Sequence, residues 1–431
     1  VDFDQCDDAW PDGVAGYVHR SQFGTVAVLC QTYQVADRVN DQVLVHELTH
    51  VINAYYLPAL PVWLNEGLAD YFMTMRVEPA PPPPGQPSNA AQSLELGAPP
   101  YHVELVGDAV TPLSDLIETW RGRPRDYAGA WRVVQAILSE PTLRARFVAW
   151  MNDMRSVGAA ATAASGAQVL DGAARILRER STWPTERVAL QPLPTMRAQI
   201  TALTPAQAVD AVFASSRAVA EMLMSGRVGQ PLRAQDAELL LAQIGRLEAT
   251  YPAWTSGEYW RALIAAQMPG PTHGGLGSPL QRLRPYLDAH PNDSRALALW
   301  VQWVMRPRPG RDLSFATEEV QRLAALATSA EELLTVGEYY GADGQIPTAI
   351  PWLERALEVW PMCGLCSHEL AAMVAITGDV DRAVRLQERA IASFREGVDV
   401  PAAFTQALQA YRARRAAPLG PLAPTGVPSS P

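Results

Sequence analysis

Two histidines four residues apart, with a glutamate directly after the first, are the part of this 431-residue chain whose types and spacing point to chemistry. They are His46, Glu47 and His50, in the segment HELTH. On a helix, positions i and i+4 share one face, so both imidazole rings can reach one metal ion while the glutamate reaches a water molecule. The pattern predicts a hydrolytic zinc site, and two core histidines on an amphipathic helix are the alternative.

The residues around HELTH predict the helix that must position it. Asp37 and Asn40 are suitable residues for a helix start, and Pro58 and Pro61 force the chain to turn afterwards. We therefore predict a helix over residues 37 to 55 that is buried in a core. The apolar residues that predict its burial are Val43, Leu44, Val45, Leu48, Val51 and Ile52.

A second helix is predicted to begin at the following proline and to carry the segment WLNEGLADYF. Glu66 lies 16 residues after His50 and can complete the set of two histidines and a glutamate, one of the ligand sets of catalytic zinc. Asn65 and Asp70 can accept hydrogen bonds from the other ring nitrogens of the histidines and so orient them. Gly67 is small enough to let the two helices approach closely.

These segments resemble the gluzincin metallopeptidases, especially the bacterial peptidase MA-like families. HELTH is followed by PVWLNEGLA, and NEGLAD is similar to the corresponding thermolysin-family segment, so the resemblance covers about residues 43 to 72. It implies an α+β zincin-like N-terminal domain, with a small sheet beside the active-site helices, that hydrolyses peptide bonds. It assigns zinc binding to His46, His50 and Glu66, proton transfer to Glu47, and orientation of the ligand histidines to Asn65 and Asp70.

Gluzincins commonly add a tyrosine or histidine that stabilises the developing oxyanion. The segment DYAGAWRVV resembles the later helix of MA-like domains that carries this tyrosine, which makes Tyr127 the candidate. Packing of Tyr127 at a helix start is the structural alternative, and His102 is a weaker competitor for the same role.

Composition excludes several classes of function. The net charge of −10, the pI of about 5.3 and the absence of a basic stripe argue against a nucleic-acid partner. All 35 basic residues are arginine, so lysine-dependent P-loop and Schiff-base chemistry is excluded. No apolar run is long enough for a transmembrane helix.

The four cysteines form two pairs in the sequence. A disulfide between Cys6 and Cys30 would pin the N-terminus to a strand, and Cys363 with Cys366 predicts either a local disulfide or two core thiols. Paired cysteines and the absence of a starting methionine lead us to expect an exported, periplasmic or extracellular protein.

The N-terminal domain is expected over residues 1–190. It should contain a β-hairpin formed by residues 14–20 and 25–31, and a proline-rich loop over residues 79–100 that is neither a regular helix nor a central strand. Residues 184–205 are expected to connect it to a second domain, over residues 191–416. Residues 417–431, rich in proline, are expected to form a disordered tail.

The second domain is predicted to be all-α, because the end of the chain repeats itself at 34 residues. Gly337, Gly344, Ala349 and Ala356 recur as Ala371, Gly378, Ala383 and Ala390. These positions resemble the tetratricopeptide repeat (TPR), which implies four or five helical hairpins stacked into a right-handed superhelical solenoid.

Three functions remain open from the sequence. The first is a zinc metallopeptidase whose repeats bind a protein substrate or partner. The second is a catalytically silent zinc-binding scaffold that acts through its repeats, and the third is hydrolysis of a non-peptide amide. The repeats could also serve as an intramolecular brace for the metal domain.

Overall fold

The computed structural model describes residues 16–21, 24–29, 37–57, 60–79, 92–107, 110–157, 162–180, 182–189, 204–215, 232–268, 277–307, 311–394 and 400–416. The described chain is mostly α-helical, with a two-stranded and a three-stranded sheet. Cys6, Cys30 and the predicted tail lie outside these residues.

The predicted β-hairpin is present at the N-terminal side. Strands β1 (Gly16–Ser21) and β2 (Gly24–Leu29) pair antiparallel, with Ser21 opposite Gly24 at the turn. Helix α1 (Asp37–Tyr56) lies against both strands, and its bounds agree with the prediction to one residue. Helix α2 (Val62–Met73) follows, with Pro61 immediately before its first residue.

The predicted burial of α1 is wrong for one of its faces. Val43 is buried, but Leu44, Leu48 and Ile52 are 36%, 44% and 56% exposed. These three residues follow one another at intervals of four, so they form a stripe on the side of α1 away from the two histidines. The apolar run therefore predicted the wrong burial because, among the described residues, one face of the helix packs against neighbouring elements and the face with Leu44, Leu48 and Ile52 does not.

The expectation of an irregular loop over residues 79–100 is wrong for residues 92–96, whereas residues 80–91 lie outside the described part of the chain. Strands β3 (Arg76–Pro79), β4 (Gln92–Leu96) and β5 (Glu186–Ala189) form an antiparallel sheet with β4 in its centre. The prolines of the segment lie at 79–87 and 99–100, so β4 itself is free of proline and can donate to both neighbours. β5 lies inside the predicted connection of residues 184–205, which is therefore wrong at its start.

Five helices complete this part of the chain. Helix α2 packs against α5 (Pro124–Ser139), and the close contact depends on Gly67, where a Cβ atom would lie 2.7 Å from the carbonyl oxygen of Ala130. Gly67 therefore serves the approach of α2 to α5, and its predicted role between α1 and α2 stays a prediction. The five helices are α3 (Tyr101–Val106), α4 (Leu113–Glu118), α5 (Pro124–Ser139), α6 (Pro141–Val157) and α7 (Ala163–Glu179).

The remaining described chain is helical, as predicted. A buried cluster rich in tryptophan and leucine joins its first helices, and a second cluster joins its last ones. The helices are α8 (Pro205–Ser215), α9 (Ala234–Thr250), α10 (Gly257–Gln267), α11 (Pro279–Ala289), α12 (Ser294–Met305), a short 3₁₀ helix (Leu313–Ala316), α13 (Thr317–Leu326), α14 (Ala330–Ala342), α15 (Ile346–Val359), α16 (Gly364–Thr377), α17 (Val380–Ala392) and α18 (Ala402–Ala416).

The 34-residue period is visible in the helices themselves. Helices α14 and α16 begin 34 residues apart, as do α15 and α17. Gly344 and Gly378, also 34 residues apart, have φ angles of 77° and 99° and lie in the turns that follow α14 and α16. Both turns need a left-handed residue, which glycine adopts without steric cost. The handedness of the predicted solenoid stays a prediction.

The pairing of the cysteines and the presence of membrane-spanning helices were the remaining questions from the sequence. Cys363 and Cys366 form a disulfide, which decides between the two alternatives for this pair. None of the described helices combines the length and the apolar character needed to cross a membrane.

Candidate metal centre

Helices α1 and α2 bring His46, His50 and Glu66 together. One ligand atom from each lies within 4.8 Å of the others. The Nε2 atoms of His46 and His50 are 3.1 Å apart. Oε2 of Glu66 lies 3.3 Å from Nε2 of His46 and 3.4 Å from Nε2 of His50. The single turn between the two histidines and the packing of α2 against α1 produce this convergence.

Asp70 contacts Nδ1 of His46, the ring nitrogen that does not face His50 and Glu66. Its Oδ1 lies 3.1 Å from Nδ1 of His46, and its side chain is 1% exposed. The contact leaves Nε2 of His46 facing His50 and Glu66. Within the described part of the chain, Nδ1 of His50 is buried and has no hydrogen-bond partner.

Asn65 lies beside the site, but the hydrogen bond seen for its side chain goes elsewhere. Its Oδ1 accepts a hydrogen bond of 2.9 Å from Nδ2 of Asn53, which is buried on α1. Asn65 therefore ties α1 to α2 one turn beyond His50. Its predicted role as a partner of the ligand histidines stays a prediction.

The charges of the site are strongly coupled. Burial by itself lowers the pKa of His46, but the hydrogen bonds and charges of Asp70 and Glu66 outweigh it and raise that pKa to about 10. Burial raises the pKa of Glu66, yet both histidines together lower it to about 2. The pocket therefore favours positive charge beside its carboxylates.

Glu47 and Tyr127 lie close enough to the site to share its electrostatics. Glu47 is buried, and Tyr127 is half-buried at the start of α5, where its ring packs edge-on against Trp120. Burial, and then the negative charges of Glu66, Asp70 and Glu47, raise the pKa of Tyr127 well above its usual value. The side chain of His102 lies outside the described side chains.

The start of α5 is fixed by a buried carboxylate. Asp126 accepts hydrogen bonds from the backbone N–H of Arg123 (3.0 Å), from the Arg123 guanidinium (3.0 Å to Nη2) and from the Thr111 hydroxyl (2.5 Å). Since Tyr127 is the next residue, this capping arrangement also fixes where its side chain begins.

The donor set fits zinc. Two imidazoles and one carboxylate are a known catalytic combination, and zinc binding would displace the proton that His46 holds in the metal-free site. Tetrahedral bonds of about 2.1 Å separate neighbouring ligand atoms by about 3.4 Å. The three separations in this site, 3.1, 3.3 and 3.4 Å, are close to that value. Asp70 on Nδ1 of His46 is the kind of oxygen partner that zinc-binding histidines use.

Sequence reasoning missed two residues near this site. Asn53, one turn after His50, binds Asn65, and Tyr101 of α3 contributes to the electrostatic environment of Tyr127. Asn53 lies on α1, whose bounds were predicted, and Tyr101 lies at the start of α3. Nothing in their spacing marks them, because each acts across a tertiary contact.

Comparisons with known proteins add little to this site. No protein-family model matches the chain, and no curated protein matches it. The crystal structure of MamA aligns at 19% sequence identity with a TM-score of 0.27, covering 32% of this chain and 78% of MamA. A likeness of this size does not establish a common fold.

Proposed function

We propose that this chain is a zinc-dependent peptidase of the gluzincin type. The observation that carries the proposal is the convergence of Nε2 of His46, Nε2 of His50 and Oε2 of Glu66 at zinc-like separations. When bound, zinc supplies a Lewis acid that activates water and polarises a carbonyl group. Peptide hydrolysis is the reaction that this donor set, together with the adjacent Glu47, supports best.

Glu47 would act as the proton carrier. As a buried carboxylate next in sequence to His46, it would take a proton from the attacking water and return it to the departing amine. Tyr127 would donate a hydrogen bond to the oxyanion that develops on the carbonyl oxygen. Besides burial, the negative charges of Glu66, Asp70 and Glu47 help to raise its pKa, which supports a position near the site, and its hydroxyl keeps its proton at neutral pH as an ordinary tyrosine does.

Metal content is the first test. Purified wild-type protein is expected to hold about one zinc ion per chain, as three protein ligands form one catalytic site. His46→Ala should lose it. His290→Ala is the matched control, because His290 bonds Thr255 in the helical part of the chain and should leave zinc content unchanged. A wild-type protein that binds no zinc would exclude the ligand assignment.

Hydrolysis of a peptide library is the second test. Glu47→Gln should keep zinc but lose cleavage, because the amide cannot accept the proton. Equal cleavage by wild type and Glu47→Gln would remove Glu47 as the base. Cleavage of non-peptide amides in place of peptides would point to the third reading of the sequence.

A scaffold with a silent zinc site is the second candidate. The supporting observation is a mainly polar cavity of about 610 Å³ in the helical part, lined by residues that include Arg311, Tyr339, Tyr340 and Asp343. A protein that binds zinc, cleaves no peptide and loses a purified partner on Arg311→Ala would favour this function.

We also propose that the protein is exported. The support is the Cys363–Cys366 disulfide, since such bonds persist in oxidising compartments. Alkylation of thiols in protein taken directly from its cellular compartment tests this, and two free thiols at these positions would contradict it.

A further inference from the structure

The last turn of α1 has a backbone carbonyl that the helix cannot satisfy. The carbonyl of Ala54 would accept a hydrogen bond from the N–H of the residue four positions later, but that residue is Pro58, which has no N–H. The preceding carbonyl, that of Asn53, is satisfied by the N–H of Leu57 at 2.9 Å. Such a carbonyl is satisfied either by water or by a donor from elsewhere in the chain.

Trp360, at the end of α15 in the helical repeats, supplies such a donor. Its indole Nε1 donates to the Ala54 carbonyl at 3.3 Å, across 306 residues of sequence. Its ring also packs against Tyr55, with centroids 5.8 Å apart at 48°. Helix α6 meets α17 in a second contact between the same two parts of the chain.

Trp360 is itself held in place by its surroundings. Its N–H bonds the Ala356 carbonyl at 2.9 Å, and its own carbonyl accepts from the N–H of Cys363 at 3.0 Å. Cys363 is bonded to Cys366 through the disulfide, and the Arg389 guanidinium donates to the carbonyl of Pro361. The indole therefore projects from a turn that is fixed on both sides.

We infer that Trp360 is a positioning residue for the metal centre. It holds the last turn of α1 from outside, while the hydrogen bond from Asn53 to Asn65 ties the same turn to α2. His50 lies one turn earlier on α1 and Glu66 lies next to Asn65, so the two contacts together set the distance between these ligands. The inference assigns the repeats the role of an intramolecular brace, and it rests on the proposed zinc site.

Three variants of the full-length chain test this role. Trp360→Ala removes both the ring and its N–H, whereas Trp360→Phe keeps a ring for Tyr55 and removes only the donor. Trp352→Ala is the matched control, because Trp352 lies on the same helix but stacks with Arg355. Each protein is compared with wild type in amide hydrogen exchange of the metal-free form and in zinc affinity by chelator competition.

Trp360→Ala should accelerate amide exchange in residues 53–57 and weaken zinc binding, each by about threefold to tenfold, the equivalent of one lost hydrogen bond. Trp360→Phe should fall between wild type and Trp360→Ala. Trp352→Ala should disturb amide exchange within the repeats. It should leave the exchange of residues 53–57 and the zinc affinity unchanged.

The outcomes separate this inference from the proposed function. Wild-type zinc affinity and unchanged exchange in Trp360→Ala would overturn the positioning role while leaving the zinc site intact. A wild-type protein that binds no zinc would instead refute the proposed function. Equal weakening by Trp352→Ala and Trp360→Ala would also overturn the positioning role, because it would show a general loss of repeat stability.

Discussion

At the scale of single residues, the site is organised by opposite charges. The carboxylates of Glu66 and Asp70, on α2, contact the imidazoles of His46 and His50 on α1, and the buried Glu47 is next in sequence to His46. A divalent cation at this point would be attracted by more negative charge than its ligands alone provide. The residues around the proposed ligands should therefore also affect zinc affinity.

Asp70→Asn should weaken zinc binding by about 10- to 100-fold, the usual effect of losing the oxygen partner of a metal-binding histidine. The amide keeps the shape of the side chain but removes the charge that faces Nδ1 of His46 at 3.1 Å. Chelator competition measures the change. Asp171→Asn, at an exposed position of α7, serves as the control and should have wild-type affinity.

Tyr127→Phe should lower kcat by about 10²- to 10³-fold, as expected for the loss of an oxyanion donor, with zinc content unchanged. Steady-state kinetics on a cleaved peptide provide the measurement. Tyr101→Phe is the useful comparison, because Tyr101 is 50% exposed yet influences the same hydroxyl. A larger loss in Tyr101→Phe would transfer the role to that residue.

At the scale of elements, the ligand-bearing helix depends on a close contact. Gly67→Ala should destabilise the protein by about 1–3 kcal/mol, because its new Cβ would lie 2.7 Å from the Ala130 carbonyl oxygen and force α2 away from α5. Urea unfolding measures this. Gly245→Ala on α9 meets nothing within 4 Å and should be neutral or stabilising by up to about 1 kcal/mol.

The start of α5 gives a prediction for pH. Burial raises the pKa of Asp126, but the hydrogen bonds from Arg123 and Thr111 outweigh it and set that pKa at about 2, against an ordinary 3.8. A carboxyl whose pKa is lower in the folded state stabilises it above the unfolded pKa, and this stability is lost as the pH falls towards 2. The ionised form is therefore the stabilising one.

Asp126→Asn should accordingly lower the free energy of unfolding by about 1–3 kcal/mol at neutral pH. It should also lose less further stability than wild type on acidification through this range. Urea titrations at neutral and acidic pH test both statements. Asp115→Asn, at an exposed position of α4, should reproduce the wild-type pH dependence, and identical curves for Asp126→Asn would contradict the assignment.

At the scale of the whole molecule, one buried acid joins helices far apart in the sequence. Asp210 on α8 accepts hydrogen bonds from the indoles of Trp254 (3.2 Å) and Trp260 (2.8 Å) and from Arg295 (2.5 Å). Trp254 lies just before α10, Trp260 lies on α10, and Arg295 lies on α12. A single carboxylate on α8 therefore links three helices at the start of the helical part.

Asp210→Ala should therefore destabilise the helical part by about 2–4 kcal/mol, because three donors lose their acceptor in a buried place. Denaturant unfolding monitored by tryptophan fluorescence is the natural measurement. Asp236→Ala removes the half-buried ion-pair partner of the exposed Arg233 and should cost less than about 1 kcal/mol. Similar losses in the two variants would show that the Asp210 contacts do not hold the array together.

The sequence by itself determined the features that depend on neighbours along the chain. The bounds of α1, the hairpin and the 34-residue period could be predicted because helix, turn and repeat signals act over a few residues. The ligand candidates followed from the spacing of two histidines on one helix turn. The local composition of residues 79–100 was misleading, because it averaged β4 with the prolines on either side.

Only the tertiary structure decided which of these elements meet. It gave α1 one exposed apolar face, placed β4 between β3 and β5, and brought Trp360 against the turn that follows His50. No periodic signal encodes such contacts, because each depends on how separate segments satisfy apolar surface and unpaired backbone groups together. The candidate metal ligands could thus be identified from the sequence. The contacts that hold them at zinc-like distances, such as those of Asp70, Asn53 and Trp360, exist only in the folded chain.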